Sequence, residues 1–277
     1  MADSSDSRPA RWYIPYLLLG PGLLWLFVFF VVPLVRLGEK SLEGNGLTNY
    51  SNAFSDYGTV IGRTFKFAAL ATIACIVLGY PLAYVIAMRA GRYKNALLAL
   101  VVLPFFTTYL IRAIAWRTLL ADGGPIVGFL RGISLMGDNS GLLGTDLAVV
   151  GSLTYNFLPF MVLPIYVALE KVDKRLLEAG PDLYASGWRT FRKVTMPLSI
   201  SGVFAGSLLT FIPAAGDFVN VEFIGSERQT MIGNVIEKNF TKVFFRPQLS
   251  ALSFVLMALI LVAVLVYARL LGTEDLV

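Results

Sequence analysis

The 277-residue sequence predicts an all-α polytopic membrane protein with six transmembrane helices. Three observations lead there. Apolar side chains make up 56% of the chain and charged ones only 15%, where soluble domains carry roughly a quarter charged. Six long stretches hold no charged side chain at all. The basic residues gather in some of the segments between those stretches, as they do in cytoplasmic loops.

In chain order the uncharged stretches are Ile14–Val35, Phe67–Met88, Asn95–Ile111, Leu147–Leu169, Val194–Gly216 and Pro247–Ala268. Five of them hold 22 or 23 residues, enough at about 1.5 Å per residue to cross a hydrocarbon core of about 30 Å. The third holds 17 and is expected to continue through Arg112 to Leu120. The first follows Arg8 and Arg11, yet its apolar run is longer than a signal-peptide core and "FVVPLVRLGEK" offers no small-x-small cleavage site, so it reads as a span. Residues 1–13 read as a short polar cytoplasmic tail, and 14–277 as one six-helix domain.

Six spans put both ends on one side, and basic residues choose the side. "RAGRYK" (Arg89 to Lys94) holds three in six positions, and the segment from Lys171 to Lys193 holds six. From Ala121 to Asp146 the only basic residue is Arg131. The dense loops, and with them both termini, are therefore expected in the cytoplasm. The net charge of +5 reads as this loop bias rather than as a nucleic-acid surface.

Absences narrow the chemistry. Histidine does not occur, which removes the commonest general base and metal ligand, and the single cysteine, Cys75, lies in an apolar run. No Gly-Lys dipeptide occurs, so the phosphate-cradling loop G-x-x-x-x-G-K-[ST] is missing and any ATP and Mg must be bound by another subunit. A membrane enzyme would need a nucleophile with its base or a metal cluster. A secondary transporter would be expected to show repeated halves and mid-membrane carboxylates, and neither is legible.

The most informative stretch is "EAGPDLYASGWRTFRKVTMPLS", residues 178 to 199, polar and charged between two spans. Asp173 is placed to cap a short helix through Lys174, Leu176, Leu177 and Glu178. Pro181 disfavours a helical Gly180, so the helix should kink or restart there. Ser186 then caps a second helix with Trp188, Phe191 and Thr195 along one side. On pattern alone this is also what an ordinary re-entry loop with an interfacial helix and basic anchors looks like.

The stretch resembles the cytoplasmic signature loop of ABC-importer permeases, in which E-A-A is followed by a spaced Gly and a terminal hydrophobic-Pro pair. The matching residues are Glu178, Ala179 and Gly180, then Asp182-Leu183, Ala185-Ser186, Trp188, Phe191, Val194 and Met196-Pro197. Two positions depart: Tyr184 stands where the family has its glycine, and the third motif position is Gly180 followed by Pro181. A bulky residue at positive φ is strained, so Tyr184 is expected at negative φ, with any left-handed residue of the turn at Gly180 or Gly187. "LGYPLAYVIA", "LPFFTTYLIRAIAWRTLL", "LTYNFLPFMVLPIYVALEKVD" and "GDFVNVEFIG" resemble permease subunits of spermidine/putrescine importers, in the same order and spacing.

The resemblance implies a type I importer permease fold, a lone first helix followed by a five-helix core, in a bacterial cytoplasmic (inner) membrane. Implied partners are a second permease subunit, two ATPase subunits, an extracytoplasmic substrate-binding protein and membrane lipid. Glu178, Ala179, Gly180, Asp182, Tyr184, Ala185 and Gly187, within a cytoplasmic loop at about 170–193, are the implied coupling residues. Candidate path residues are Tyr109, Arg112 and Trp116 in the extended third span, with Asp217 and Glu222 past the fifth. Charges at membrane depth are costly and so invite a functional reading. The carboxylates beside Phe218 and Phe223 suit an ammonium group; Arg112 and Arg117 suit an anionic one, or serve as interfacial anchors. The resemblance favours a polyamine, with an amino acid, sugar or organic ion as the alternative.

Overall fold

Charge ends an uncharged run without ending a helix, and this accounts for the largest difference between the expected spans and the observed ones. The computed structural model describes residues 14–137, 140–173, 175–177, 186–242 and 246–270. Among these, five helices are long and apolar enough to cross a membrane, and a sixth candidate is a bent pair.

The first span joins α1 (Ile14–Leu26), a π-helical turn (Phe27–Val31) and α2 (Val32–Ser41) into one run. None of its apolar window is buried, so among the described residues the chain supplies no cover for it. Only its end packs: a Cβ on Gly38 would lie 3.6 Å from the Phe254 ring. Asn49 Nδ2 donates to Ser41 O and to Glu43 O, 3.0 Å each, and closes the turn into the next helix.

That helix, α3 (Thr48–Met88), has 41 residues and begins well before the expected Phe67. At about 1.5 Å per residue it is roughly twice as long as the hydrocarbon core is thick. Its first half carries charges on one side and an apolar stripe on the other. There Ala53 and Ile61 pack against Ile232, Val235, Leu249, Leu252 and Val255. These come from α11 (Ile232–Lys242) and α12 (Pro247–Leu270), the last span.

The third span is broken, which corrects the expectation of a single helix through to Leu120. After α4 (Lys94–Val102) a 3₁₀ turn covers Leu103–Phe106, and α5 (Tyr109–Leu120) leaves at 94° to the incoming segment. Pro104 suits the first turn of the 3₁₀ element, where its missing N–H is not required. Thr107 and Thr108 are extended, with ψ of 145° each, and Thr107 Oγ1 donates to Pro104 O at 2.6 Å. Beyond α5 lies the short α6 (Pro125–Gly132).

The core of the domain is the packing of α3 with α7 (Asp146–Glu170) and α9 (Met196–Ala215). Lipid tails are as apolar as leucine, so close van der Waals packing rather than water exclusion holds such helices together. Gly202 and Gly206 permit it. A Cβ on Gly202 would meet Pro164 O and Ala168 Cβ at 2.6 Å, and one on Gly206 would meet Met161 Sδ at 2.9 Å. α7 starts at a side-chain cap, Thr145 Oγ1 accepting from Ala148 N at 3.2 Å. Its first residue, Asp146, accepts from Lys66 Nζ at 3.3 Å and from Gln229 Nε2 at 3.0 Å. A carboxylate at a helix N-terminus complements the macrodipole.

Candidate translocation and coupling sites

On α5, positions 109, 112 and 116 follow the i, i+3, i+7 spacing that puts side chains on one face. Tyr109 opens the helix after the break, and its hydroxyl donates to Asp217 Oδ2. Asp217 follows α9 by two residues and precedes the short α10 (Val219–Ile224). Its other oxygen, Oδ1, accepts from the backbone N–H of Asn220 at 2.9 Å. Asn220 Nδ2 donates to Tyr109 Oη at 2.5 Å, and Asn220 Oδ1 accepts from Asn156 Nδ2 of α7 at 2.9 Å. Asn156 Nδ2 also donates to Ser152 O, and Asn234 Nδ2 of α11 holds Phe218 O at 2.7 Å. One polar network therefore ties the broken span, α7 and the connector after α9.

Asp217 is 6% exposed, with both oxygens engaged inside the chain. Burial pushes its carboxyl above the usual carboxylate range, and the hydrogen bonds from Tyr109 and Asn220 act the other way. Arg112 is 9% exposed, its guanidinium lying over the rings of Phe105 (4.5 Å) and Tyr109 (5.4 Å). Cation–π contact of this kind contributes about 0.5–2 kcal/mol. Its Nε and Nη1 have no hydrogen-bond partner among the described residues. Trp116 packs edge-on to Tyr155 of α7, centroids 5.3 Å apart, beside the cluster of Leu120, Ala148 and Ile224.

The structure thus gathers Tyr109, Arg112 and Asp217, with Trp116 further along the same helix face. Glu222 does not join them. It pairs with Lys238 at 2.8 Å, both side chains nearly half exposed. The sequence reading did not single out Asn156 or Asn220, which complete the network. A signal was there for Asn156: an uncharged amide alone in a membrane-length apolar run must find a partner in a medium that offers none.

On the loop between α7 and α9, Asp173 Oδ1 accepts from Arg175 N at 2.9 Å, the cap expected there. Ser186 caps α8 (Gly187–Thr190), its Oγ accepting from Arg189 N at 3.3 Å. Glu178, Ala179, Gly180, Asp182, Tyr184 and Ala185 lie outside the described residues. Gly187 is the first residue of α8, and among the described residues the glycines at positive φ are Gly44, Gly46, Gly91 and Gly144. Gly187 is therefore not left-handed, which leaves Gly180, outside the described residues, as the other position named for a left-handed turn residue. α8, a π-helical turn (Phe191–Thr195) and α9 form an unbroken rod, Gly187–Ala215. Lys94, at the start of α4, pairs with Glu170 at the end of α7 and lies 5.1 Å from the Tyr166 ring. Among the described residues no three of His, Cys, Asp and Glu gather as a metal site.

A capped loop helix running straight into a span, within an all-α bundle of such spans, makes this a multi-pass membrane protein by architecture. Residues 79–272 match the family described as binding-protein-dependent transport system inner membrane component, and the chain belongs to that family. It is 36% identical over 256 residues to the spermidine/putrescine transport system permease protein PotB of Haemophilus influenzae, covering 88% of this chain and 90% of that one. The inner membrane ABC transporter permease protein YdcU of Escherichia coli is 34% identical over 229 residues, covering 78% of this chain and 72% of that one. The fold matches a chain of the crystal structure of a bacterial ABC transporter involved in the import of the acidic polysaccharide alginate. There the TM-score is 0.77 at 17% identity, covering 95% of this chain and 96% of the other. The protein is thus a multi-pass inner-membrane permease subunit of a binding-protein-dependent ABC importer, with the type I fold. It is the transport subunit rather than the ATPase.

Proposed function

We propose that this subunit, paired with a second permease and driven by two ATPase subunits, forms part of the path by which a polyamine enters the cytoplasm from an external binding protein. The observation that carries this reading is the 36% identity to a spermidine/putrescine permease over most of both chains. Both termini, with residues 1–13 as a tail, lie in the cytoplasm in this reading, residues 14–277 form the domain and its outer helix faces contact lipid. The bias of Arg89 to Lys94 and of Lys171 to Lys193 supports that orientation.

Tyr109, Arg112, Trp116 and Asp217 border the path, Glu222 lies at its outer edge, and the 178–187 segment docks on the ATPase. Within that segment Glu178, Ala179, Gly180, Asp182, Tyr184, Ala185 and Gly187 make the coupling contact. Asp217 acts here as the anchor of the Tyr109–Asn220 network, not as a free ligand. A second reading has one observation in its favour: Arg112 is a buried cation whose Nε and Nη1 have no hydrogen-bond partner among the described residues, which suits a solute bearing a carboxylate. Uptake of labelled putrescine and spermidine by a deletion strain, with and without the gene, decides. Uptake restored by the gene supports the polyamine path. Equal uptake in both, with loss of an amino acid or sugar instead, overturns the solute and leaves the permease.

A further inference from the structure

Rings join the cytoplasmic half of α3 to the helix leaving the docking loop. Phe191, at the start of the π-helical turn, meets Tyr80 edge-on at 5.7 Å and 90°, and Tyr84 at 5.8 Å and 84°. Tyr80 and Tyr84 are one turn apart on α3, so the Phe191 ring is held by two neighbouring edges. Trp188, three residues earlier, stacks on Phe191 at 5.5 Å and 20°, and is 71% exposed. Eight residues beyond Phe191, Ser199 Oγ shares a 2.7 Å hydrogen bond with Tyr80 Oη, and Ser199 is itself buried.

This arrangement has a mechanical consequence. Because Gly187–Ala215 is one helix, a displacement at Gly187 moves α9 directly. α3 is a separate rod, and besides the apolar packing of the core the Phe191 clasp and the Tyr80–Ser199 bond are the contacts at this level that make it follow, among the described residues. α3 also packs on α7 and carries the outer extension against α11 and α12. We propose that Phe191 is a positioning residue for coupling: it makes α3 move with the docking helix, relaying motion between the ATPase side and the outer face. The proposal rests on the permease reading above; Phe191 lies within the signature-loop resemblance, and what is added is its clasp on Tyr80 and Tyr84 and the route into α3.

The test uses the assembled complex in proteoliposomes, with its external binding protein and labelled spermidine. Two ratios are read: stimulation of ATP hydrolysis by the binding protein, and spermidine imported per ATP hydrolysed. Phe191→Leu, which stays apolar but loses the ring, is expected to lower both at least tenfold; Phe191→Tyr, which keeps the ring, restores them to within about threefold. The double variant Tyr80→Leu, Tyr84→Leu should reproduce the loss from the other side of the clasp. Unchanged ratios in Phe191→Leu overturn the proposal. So does a fall in assembly alone, with coupling intact in whatever complex remains. If Phe191→Leu does not assemble, the tyrosine pair decides by the same ratios. A wild-type complex that imports no spermidine defeats the solute reading while the hydrolysis ratio still tests Phe191. A wild-type chain that binds no ATPase defeats the permease reading itself.

Discussion

Asp217→Asn removes one defined interaction and leaves its neighbours in place. In the structure Oδ2 accepts the Tyr109 hydroxyl and Oδ1 accepts the Asn220 N–H at 2.9 Å. An asparagine keeps one acceptor oxygen, which the Asn220 N–H can retain. Its amide nitrogen then faces Tyr109 Oη, which already accepts from Asn220 Nδ2 at 2.5 Å. Two donors would meet at one hydroxyl, and the tyrosine proton would lose its acceptor. The loss is one charge-assisted hydrogen bond, about 1.5–3 kcal/mol, or a factor of roughly 10 to 150 on the equilibrium holding α5 to the connector before α10. Relief of the buried charge offsets part of this, so the lower end is expected. The assay is initial uptake rate in vesicles at matched complex content, for Asp217→Asn, Tyr109→Phe and the double variant. Each single change is expected to lower uptake about tenfold, and the double no further than the worse single, because both delete the same Tyr109–Asp217 bond, Tyr109→Phe losing the Asn220 contact as well. Additive losses would refute the shared bond, and uptake within twofold of wild type for Asp217→Asn would refute the anchor.

Glu178→Ala should cut transport and substrate-stimulated hydrolysis far more than membrane insertion, since a carboxylate on a docking helix meeting a basic groove contributes about 1.5–3 kcal/mol; unchanged transport in reconstituted vesicles would show the charge dispensable. The purified chain is expected to hydrolyse no nucleotide by itself and to copurify with an ATPase on coexpression, which a contaminant-free hydrolysis assay and a pull-down check. Gly202→Ala should destabilise by about 1–3 kcal/mol, because its Cβ would lie 2.6 Å from Pro164 O and Ala168 Cβ; a thermal unfolding midpoint equal to wild type would refute the close-packing argument. Tyr184 should have negative φ in an experimental structure of the assembled complex, and a left-handed Tyr184 there would mean the family turn is kept at a cost in strain.

The places of five long apolar helices, and of the bent pair that would make a sixth, were legible because a span is an obligatory apolar run, and such a run is visible one residue at a time. The caps at Asp173 and Ser186 were legible for a similar reason, being local bonds between near neighbours. The N-terminal extension of α3 was not, since a count of uncharged residues stops at Lys66 while the helix is held by a stripe that includes Ala53 and Ile61. The 94° break was half legible: Pro104 marked the place, but Pro81, Pro159 and Pro164 sit inside helices that continue. What distinguishes Pro104 is the extended Thr107–Thr108 pair after it, which no run of uncharged residues announces. The candidate site was legible as a list of charges and illegible as a geometry. Asp217 and Glu222 look alike in the sequence, yet one is buried against Tyr109 and Asn220 and the other pairs with Lys238.

That difference bears on how a polycation would be handled. An ammonium group is held by carboxylates or by ring faces with open access. In this subunit the carboxylate nearest the candidate path has both oxygens engaged, and the Phe105 and Tyr109 rings already carry the Arg112 guanidinium. If the solute is a polyamine, the groups on this chain that face it therefore attract it weakly, and Arg112 repels it. Weak retention suits a path: the binding protein can supply affinity and selection outside, and a wall that holds its own charges internally does not trap the cargo midway. Under the competing reading, with a carboxylate-bearing solute, Arg112 would be the retaining group, and Arg112→Met would lower uptake. Under the polyamine reading the same change removes a repulsion and leaves uptake equal or faster. The sign of that single effect therefore separates the two solutes through a residue of this chain.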